Sequence, residues 1–142
     1  METITTAQTA TRLRRAITRL NRRLRYSALG GVSPAQASML ATIELLDQPS
    51  LGDLAVAEQI QPPSVTRLVR TLEQAQLLRS WRDAEDRRCT RVQLSDQGHE
   101  ELETIRQRKT EFLERKLISL SSADQKRAEA LVTFLERLLE DE

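Results

Sequence analysis

The chain has 142 residues and 39% hydrophobic content, enough for one domain or a small domain with helical extensions. Its 30% charged and 3% aromatic content predict a Leu/Ala-based helical core rather than an aromatic-rich one. A net charge of +1 does not announce a nucleic-acid binder, and a single cysteine excludes an intrachain disulfide.

Charge distribution says more than the total. Arg12, Arg14, Arg15, Arg19, Arg22, Arg23 and Arg25 crowd the start, and Arg67, Arg70, Arg79, Arg82, Arg87, Arg88 and Arg91 crowd the middle. The end is acidic, with Glu136, Glu140, Asp141 and Glu142. A near-neutral sum can therefore hide a basic face. No apolar run reaches membrane-spanning length and the start lacks a signal-peptide core, so the expected home is a reducing cytoplasm without membrane association.

The first helix is expected from about Thr5 to Leu29. Leu13, Ile17, Leu20 and Leu24 recur at near-heptad steps, a stripe that one helix cannot bury alone. "GGVSP" then breaks the pattern, with Gly30 or Gly31 available to close the helix in a left-handed conformation. Ser33, Pro34 and Gln36 make a strong start signal for a second helix, buried through Met39, Leu40, Ile43 and Leu46 and ended by "DQPS". Ser50 and Asp53 repeat the capping-box spacing for a short third helix with Leu51, Leu54 and Ala55. After the turn "IQPPS", a fourth helix runs from Pro63 to about Ala75 and buries Val65, Leu68, Val69 and Leu72.

The period then changes. "LLRSWR" and "CTRVQLS" read as short strands around the charged turn, with Thr90, Val92 and Leu94 on one face and Trp81 able to pack on the ribbon. Ser95 caps a long helix to about Lys116, with Leu102, Ile105, Phe112 and Leu113 inward. Leu120 and the Ser122/Gln125 spacing open a last helix with the stripe Ala128, Leu131, Leu135, Leu138 and Leu139. The expected fold is mainly α with a small two- or three-stranded β-wing: a winged helix-turn-helix with flanking dimerisation helices.

"LGDLAVAEQIQPPSVTRLVRTLEQAQLL" supplies the helix-turn-helix and "DAEDRRCTRVQLSDQG" the wing and its exit. The chain resembles the MarR family of bacterial transcription regulators across nearly its whole length. The most specific part is D-x-x-D-R-R followed by V-x-L-S-x-x-G. Three positions depart from the family pattern. Gln76 stands where Gly often precedes the first wing strand, and Ala84 where Pro often follows the first wing Asp. Ser80 stands where a basic residue is common, so an arginine partner for the wing acid must come from elsewhere.

The resemblance implies that the fourth helix enters the DNA major groove. Ser64, Thr66, Arg67 and Arg70 lie on or beside the face opposite its apolar stripe, where hydroxyls and guanidiniums can meet phosphates and bases. Arg67 is the first choice for phosphate. Pro62 and Pro63 carry no N–H, so Ser64 and Val65 are expected to offer the first useful amides at the helix start. In the wing, the resemblance assigns Arg88 to a minor-groove contact, Asp86 to its support and Arg87 to a flanking phosphate. An acid two residues away would orient the arginine on one side of a short extended wing. Without that placement, the cluster reads as a mutually neutralising surface.

The exposed stripes at the chain ends predict a two-fold homodimer, with Leu13, Leu131, Leu135 and Leu138 as contacts and a pseudo-palindromic site read about 34 Å apart. The DNA-binding lobe is placed at residues 34–95 and the dimerisation region at 1–30 and 96–142. The resemblance further implies a repressor released by a small, often anionic aromatic effector; no pocket residues are assigned. No cofactor or metal is expected: His99 has no second metal-type partner nearby in sequence. An enzyme would need a nucleophile–base pair, and Cys89 and His99 lack a signature turn around either. Two alternatives stay open: a winged-helix protein-interaction module, and a thiol redox sensor using Cys89, which lies beside Arg87, Arg88 and Arg91 in the sequence.

Overall fold

Helix α1 spans Thr6–Ser27, α2 Pro34–Leu46, α3 Leu51–Glu58 and α4 Pro62–Gln74; strands β1 Leu78–Arg82 and β2 Thr90–Leu94 follow, then α5 Asp96–Ile118 and α6 Ser122–Leu139. These elements are taken from a computed structural model that describes residues 3–28 and 30–140.

Side-chain caps set most of the helix starts. Thr5, Ser33 and Ser50 each accept the amide three residues on, while Gln8, Gln36 and Asp53 return a bond to the cap amide. The Thr5–Gln8 box is an unforeseen third example of the same device. Ser95 and Ser121 cap α5 and α6. The cap of the last helix therefore falls one residue before the expected Ser122, whose predicted partner Gln125 instead donates its side-chain amide to the Leu117 carbonyl at 3.0 Å.

Helix ends differ from expectation in a consistent way. α1 stops at Ser27 with Ala28 in right-handed geometry, and among the described residues no glycine has a left-handed φ. The expected end of this helix at Leu29 lies outside the described residues. Left-handed φ falls instead on Asp47, Gln48, Gln59 and Gln76. Gln76 closes α4 in a Schellman arrangement: its N–H donates to the Glu73 carbonyl at 2.9 Å and the Leu77 N–H to the Leu72 carbonyl at 2.9 Å. Two satisfied carbonyls offset the cost of an L-residue at φ 63.

Met39, Leu40, Ile43, Leu54, Val65, Val69, Leu72, Leu78, Val92, Leu94 and Leu102 form one buried cluster. Each large aliphatic side chain contributes about 1.5–3 kcal/mol by leaving water. Leu46 is not among them; it is exposed, because the helix ends there and turns away through Asp47 and Gln48. Phe112 and Leu113 are only half-buried. The sheet has two antiparallel strands, with Leu78 opposite Leu94 and Arg82 opposite Thr90. In place of a third strand there is a single bridge, Ser50 to Arg91, beside the bond from the Val92 N–H to the Pro49 carbonyl.

The glycine of the V-x-L-S-x-x-G signature has a packing reason. Gly98 is buried, and a Cβ there would stand 1.9 Å from the Leu77 carbonyl oxygen. That oxygen also accepts the Ser95 N–H at 3.1 Å, and the Ser95 hydroxyl donates to the Gln76 carbonyl at 2.6 Å. The start of α5 is thereby pinned to the exit of α4.

Two substitutions test these junctions by chemical denaturation. Gly98→Ala should destabilise the fold by about 1–3 kcal/mol or more, because backbone rather than a flexible side chain must move. Gln76→Gly should stabilise it, by up to about 1 kcal/mol, by relieving the left-handed strain.

Candidate nucleic-acid interface

The α3–turn–α4 unit and the β1–β2 hairpin present the middle arginines on one continuous stretch of chain. On α4, Val65, Val69 and Leu72 are buried, while Thr66, Arg67 and Arg70 are exposed and Ser64 is half-buried. Thr71 and Gln74, which sequence reasoning did not single out, are exposed on the same helix. The Thr66 hydroxyl donates to the Pro62 carbonyl at 3.1 Å, which leaves its oxygen as an acceptor toward solvent.

The helix start corrects one expectation. Both the Ser64 N–H and the Val65 N–H donate to the Gln61 carbonyl, at 2.9 and 3.2 Å. With prolines at the two preceding positions, the amides expected to meet a phosphate are already taken. Only the helix dipole and side chains remain to attract an anion there.

The wing is a folded turn rather than the expected extended strip. Asp83 Oδ1 accepts the Glu85 N–H at 2.8 Å and the Asp86 N–H at 3.1 Å. The Cys89 N–H donates to the Asp86 carbonyl at 2.9 Å, which puts Arg87 and Arg88 at the corner of a β-turn. Asp86 Oδ1 accepts both the Arg88 N–H and the Arg88 Nε–H at 3.1 Å. The Arg88 side chain is 93% exposed, so this pair is worth little as stabilisation and acts as a brace. The Arg87 carbonyl accepts Arg82 Nη1 at 2.9 Å, and the Arg79 guanidinium stacks 5.1 Å from the Trp81 ring. Cys89 is half-exposed at the end of this turn.

The arginine partner that Ser80 cannot supply is Arg91. Its Nε donates to Asp83 Oδ2 at 2.8 Å, and its Nη1 lies 3.7 Å from Asp53 Oδ2 and donates to the Gln48 carbonyl at 3.4 Å. Ser80 is anchored differently: its N–H and hydroxyl both donate to Glu73 Oε1 on α4, at 3.0 and 2.8 Å. Sequence reasoning missed Asp83 and Arg91 as a pair. The available signal was strand alternation, since burial of Val92 and Leu94 turns Arg91 to the other side, toward the start of α3.

A second feature lies between α1, α2 and α5: a cavity of about 390 Å³. Arg25, Arg106 and Lys109 bring positive charge to it, and Ala37, Leu102 and Ile105 supply apolar wall. Arg106, which lines it, donates through Nη2 to Glu44 Oε1 at 2.9 Å, and His99 Nδ1 lies 3.3 Å from Glu44 Oε2. The Arg106 hydrogen bond is the main influence holding the Glu44 carboxyl below its ordinary value. His99, expected as a merely exposed residue of a first helical turn, is exposed but has this partner on α2.

The bond from Arg91, then the amides of Asp86 and Glu85, lower the Asp83 pKa to about 2 from an ordinary 3.8. A depressed carboxylate stabilises above its unfolded value and loses that contribution as pH falls through its folded value. The wing should therefore hold its order down to about pH 4 and loosen toward pH 2, read by Trp81 fluorescence; in Asp83→Asn the loosening should already be present at neutral pH.

Comparison with known proteins places this geometry. Residues 32–90 match the model of the MarR family. The chain is 29% identical over 103 residues to the uncharacterized HTH-type transcriptional regulator YdgJ of Bacillus subtilis, covering 72% of this chain and 63% of that protein's length. A transcriptional regulator structure from Pseudomonas aeruginosa PA01 is 31% identical, covers 97% of this chain and 98% of its own, and superposes with a TM-score of 0.82. A point mutant of Staphylococcus aureus MepR, solved bound to an oligodeoxyribonucleotide, shares the fold at 21% identity, with coverages of 92% and 97% and a TM-score of 0.71. With helix-turn-helix, wing and flanking helices all accounted for, the chain belongs to the MarR family of transcriptional regulators.

Proposed function

We propose that the protein is a homodimeric repressor that reads a pseudo-palindromic operator and is released by a small anionic aromatic effector. The observation that carries the reading is the wing turn. It presents Arg88 almost fully to solvent, braced by Asp86, on the hairpin that follows α4. A braced arginine loses less rotamer freedom on entering a narrow minor groove, where negative potential is concentrated. Thr66, Arg67 and Arg70 on α4 then face the major groove, and Arg87 a phosphate beside the wing. Ser64, half-buried, serves the border of that contact. The structure of the MepR mutant bound to an oligodeoxyribonucleotide supports DNA as the partner.

Two copies are favoured by uncovered apolar surface. No residue of α6 is buried; Leu131 and Leu138 are each 50% exposed, Phe134 is similarly open, and Ile17 and Leu20 on α1 are exposed too. Leu13 and Leu135 are half-buried beside them. Joining these faces across a two-fold axis covers both stripes and sets two recognition helices on one side of a duplex. The cavity fits the effector: three cations for an acid group and an aliphatic wall for a ring. It touches α1 and α5 on one side and α2 on the other, so a ligand there can bias the spacing of the recognition helices.

Selection of bound sequences from random duplex DNA should enrich a symmetric site; enrichment of nothing would sink the proposal. On that duplex, Arg88→Ala should cost about 1–3 kcal/mol of binding while leaving melting temperature and dimerisation nearly unchanged. Affinity unaltered across a salt titration would count against the minor-groove role. Asp86→Ala should also weaken binding, whereas a residue that only cancels charge would tighten it when removed. Sedimentation equilibrium should give a dimer, and a Leu131→Asp/Leu138→Asp variant should sediment as a monomer.

A further inference from the structure

Among the three cations at the cavity, Arg106 differs from the others. Among the described residues Arg25 and Lys109 form no ion pair, whereas Arg106 is engaged with Glu44 at 2.9 Å and lies 3.8 Å from Glu103 on its own helix. Glu44 belongs to α2, three residues before Asp47, where the chain turns toward α3. That turn carries the Gln48 carbonyl bonded to Arg91 and the Pro49 carbonyl bonded to the Val92 N–H. A short covalent path therefore joins Glu44 to two of the contacts that seat the wing. Neither partner of the Glu44–Arg106 bond is deeply buried: the side chains are 34% and 48% exposed. The bond can be exchanged without stranding a charge in the core.

We propose that Arg106 is a two-position switch: on Glu44 it ties α2 to α5, and an anionic ligand in the cavity takes the same guanidinium away from Glu44, so that occupancy of the cavity reaches the helix-turn-helix through this one exchange. This rests on the cavity being the effector site. It adds which bond breaks. A ligand shifts an equilibrium only through contacts that differ between the two arrangements, and here the differing contact is named. His99 Nδ1 lies 3.3 Å from the second Glu44 oxygen, so the carboxylate has another neighbour when Arg106 leaves. Ligand binding and the α2–α5 tie then compete for one side chain, so each must weaken the other by the same factor.

The test uses the full chain, benzoate as the anionic aromatic probe, isothermal titration calorimetry, and anisotropy on the selected duplex with and without benzoate. Glu44→Gln should bind benzoate at least about fivefold tighter, because the ligand no longer competes, and benzoate should lose most of its effect on DNA affinity. Glu103→Gln removes the same charge from the other side of Arg106 without removing the tie, and it should keep the wild-type DNA response. That control separates an exchange of partners from a general rise in positive potential. If Glu44→Gln binds benzoate as wild type does and responds on DNA as wild type does, the switch is overturned while the cavity reading stands. If wild-type protein binds no benzoate, the cavity reading falls and the switch with it.

Discussion

One guanidinium ties the wing to the two helices at its base. Arg91 is where the first turn of the wing, the loop after α2 and the first turn of α3 meet: Asp83, the Gln48 carbonyl and Asp53 all address it. Each contact is partly exposed and modest taken singly. Their geometric effect is larger than their energy. The hairpin has only two strands, and an isolated two-stranded ribbon is marginal in water. Here it is fastened at its base by Arg91 and the Ser50 bridge, along its edge by Ser80 on Glu73, and at its exit by Ser95 on Gln76. The tip can then be a small turn with exposed arginines and still point in a defined direction.

The same economy runs through the helices. Most of their starts are closed by side chains and several of their ends by left-handed polar residues, so the buried cluster need only position elements that are already bounded. Leu102 joins that cluster from α5, and Gly98 lets α5 come within touching distance of Leu77, so the long helix and α4 share one hydrophobic centre. α1 and α6 have no such centre among the described residues; their stripes remain largely open, and this chain alone does not cover them.

What could be read from the sequence was whatever acts over a few residues. Capping boxes at Ser33 and Ser50, the apolar period of α4, and the change to strand alternation at Leu77 are local signals, and they located the elements within a residue or two. The expected brace of Arg88 by Asp86 is also local, and both bonds are present in the structure. Contacts between distant residues were not legible. Glu44 and Arg106 are 62 apart in the chain, and nothing in either helix says that the other faces it. Arg91 and Gln48 pose the same difficulty across 43 residues. Two misreadings had a different origin. The Gly30/Gly31 stop and the free Ser64 and Val65 amides followed residue habits, and the backbone satisfied its groups in another way.

The sealed start of α4 has a consequence for how such a protein diverges. Backbone amides grip a phosphate whatever side chains surround them, and so fix a docking pose that substitution cannot easily change. At this helix Gln61 has absorbed those amides. In the proposed complex, register on the duplex would rest on replaceable surface side chains at Thr66, Arg67, Arg70 and the wing. After a gene duplication, a copy could drift to a different operator by exchanging a few exposed residues, with no repair needed in the scaffold beneath them.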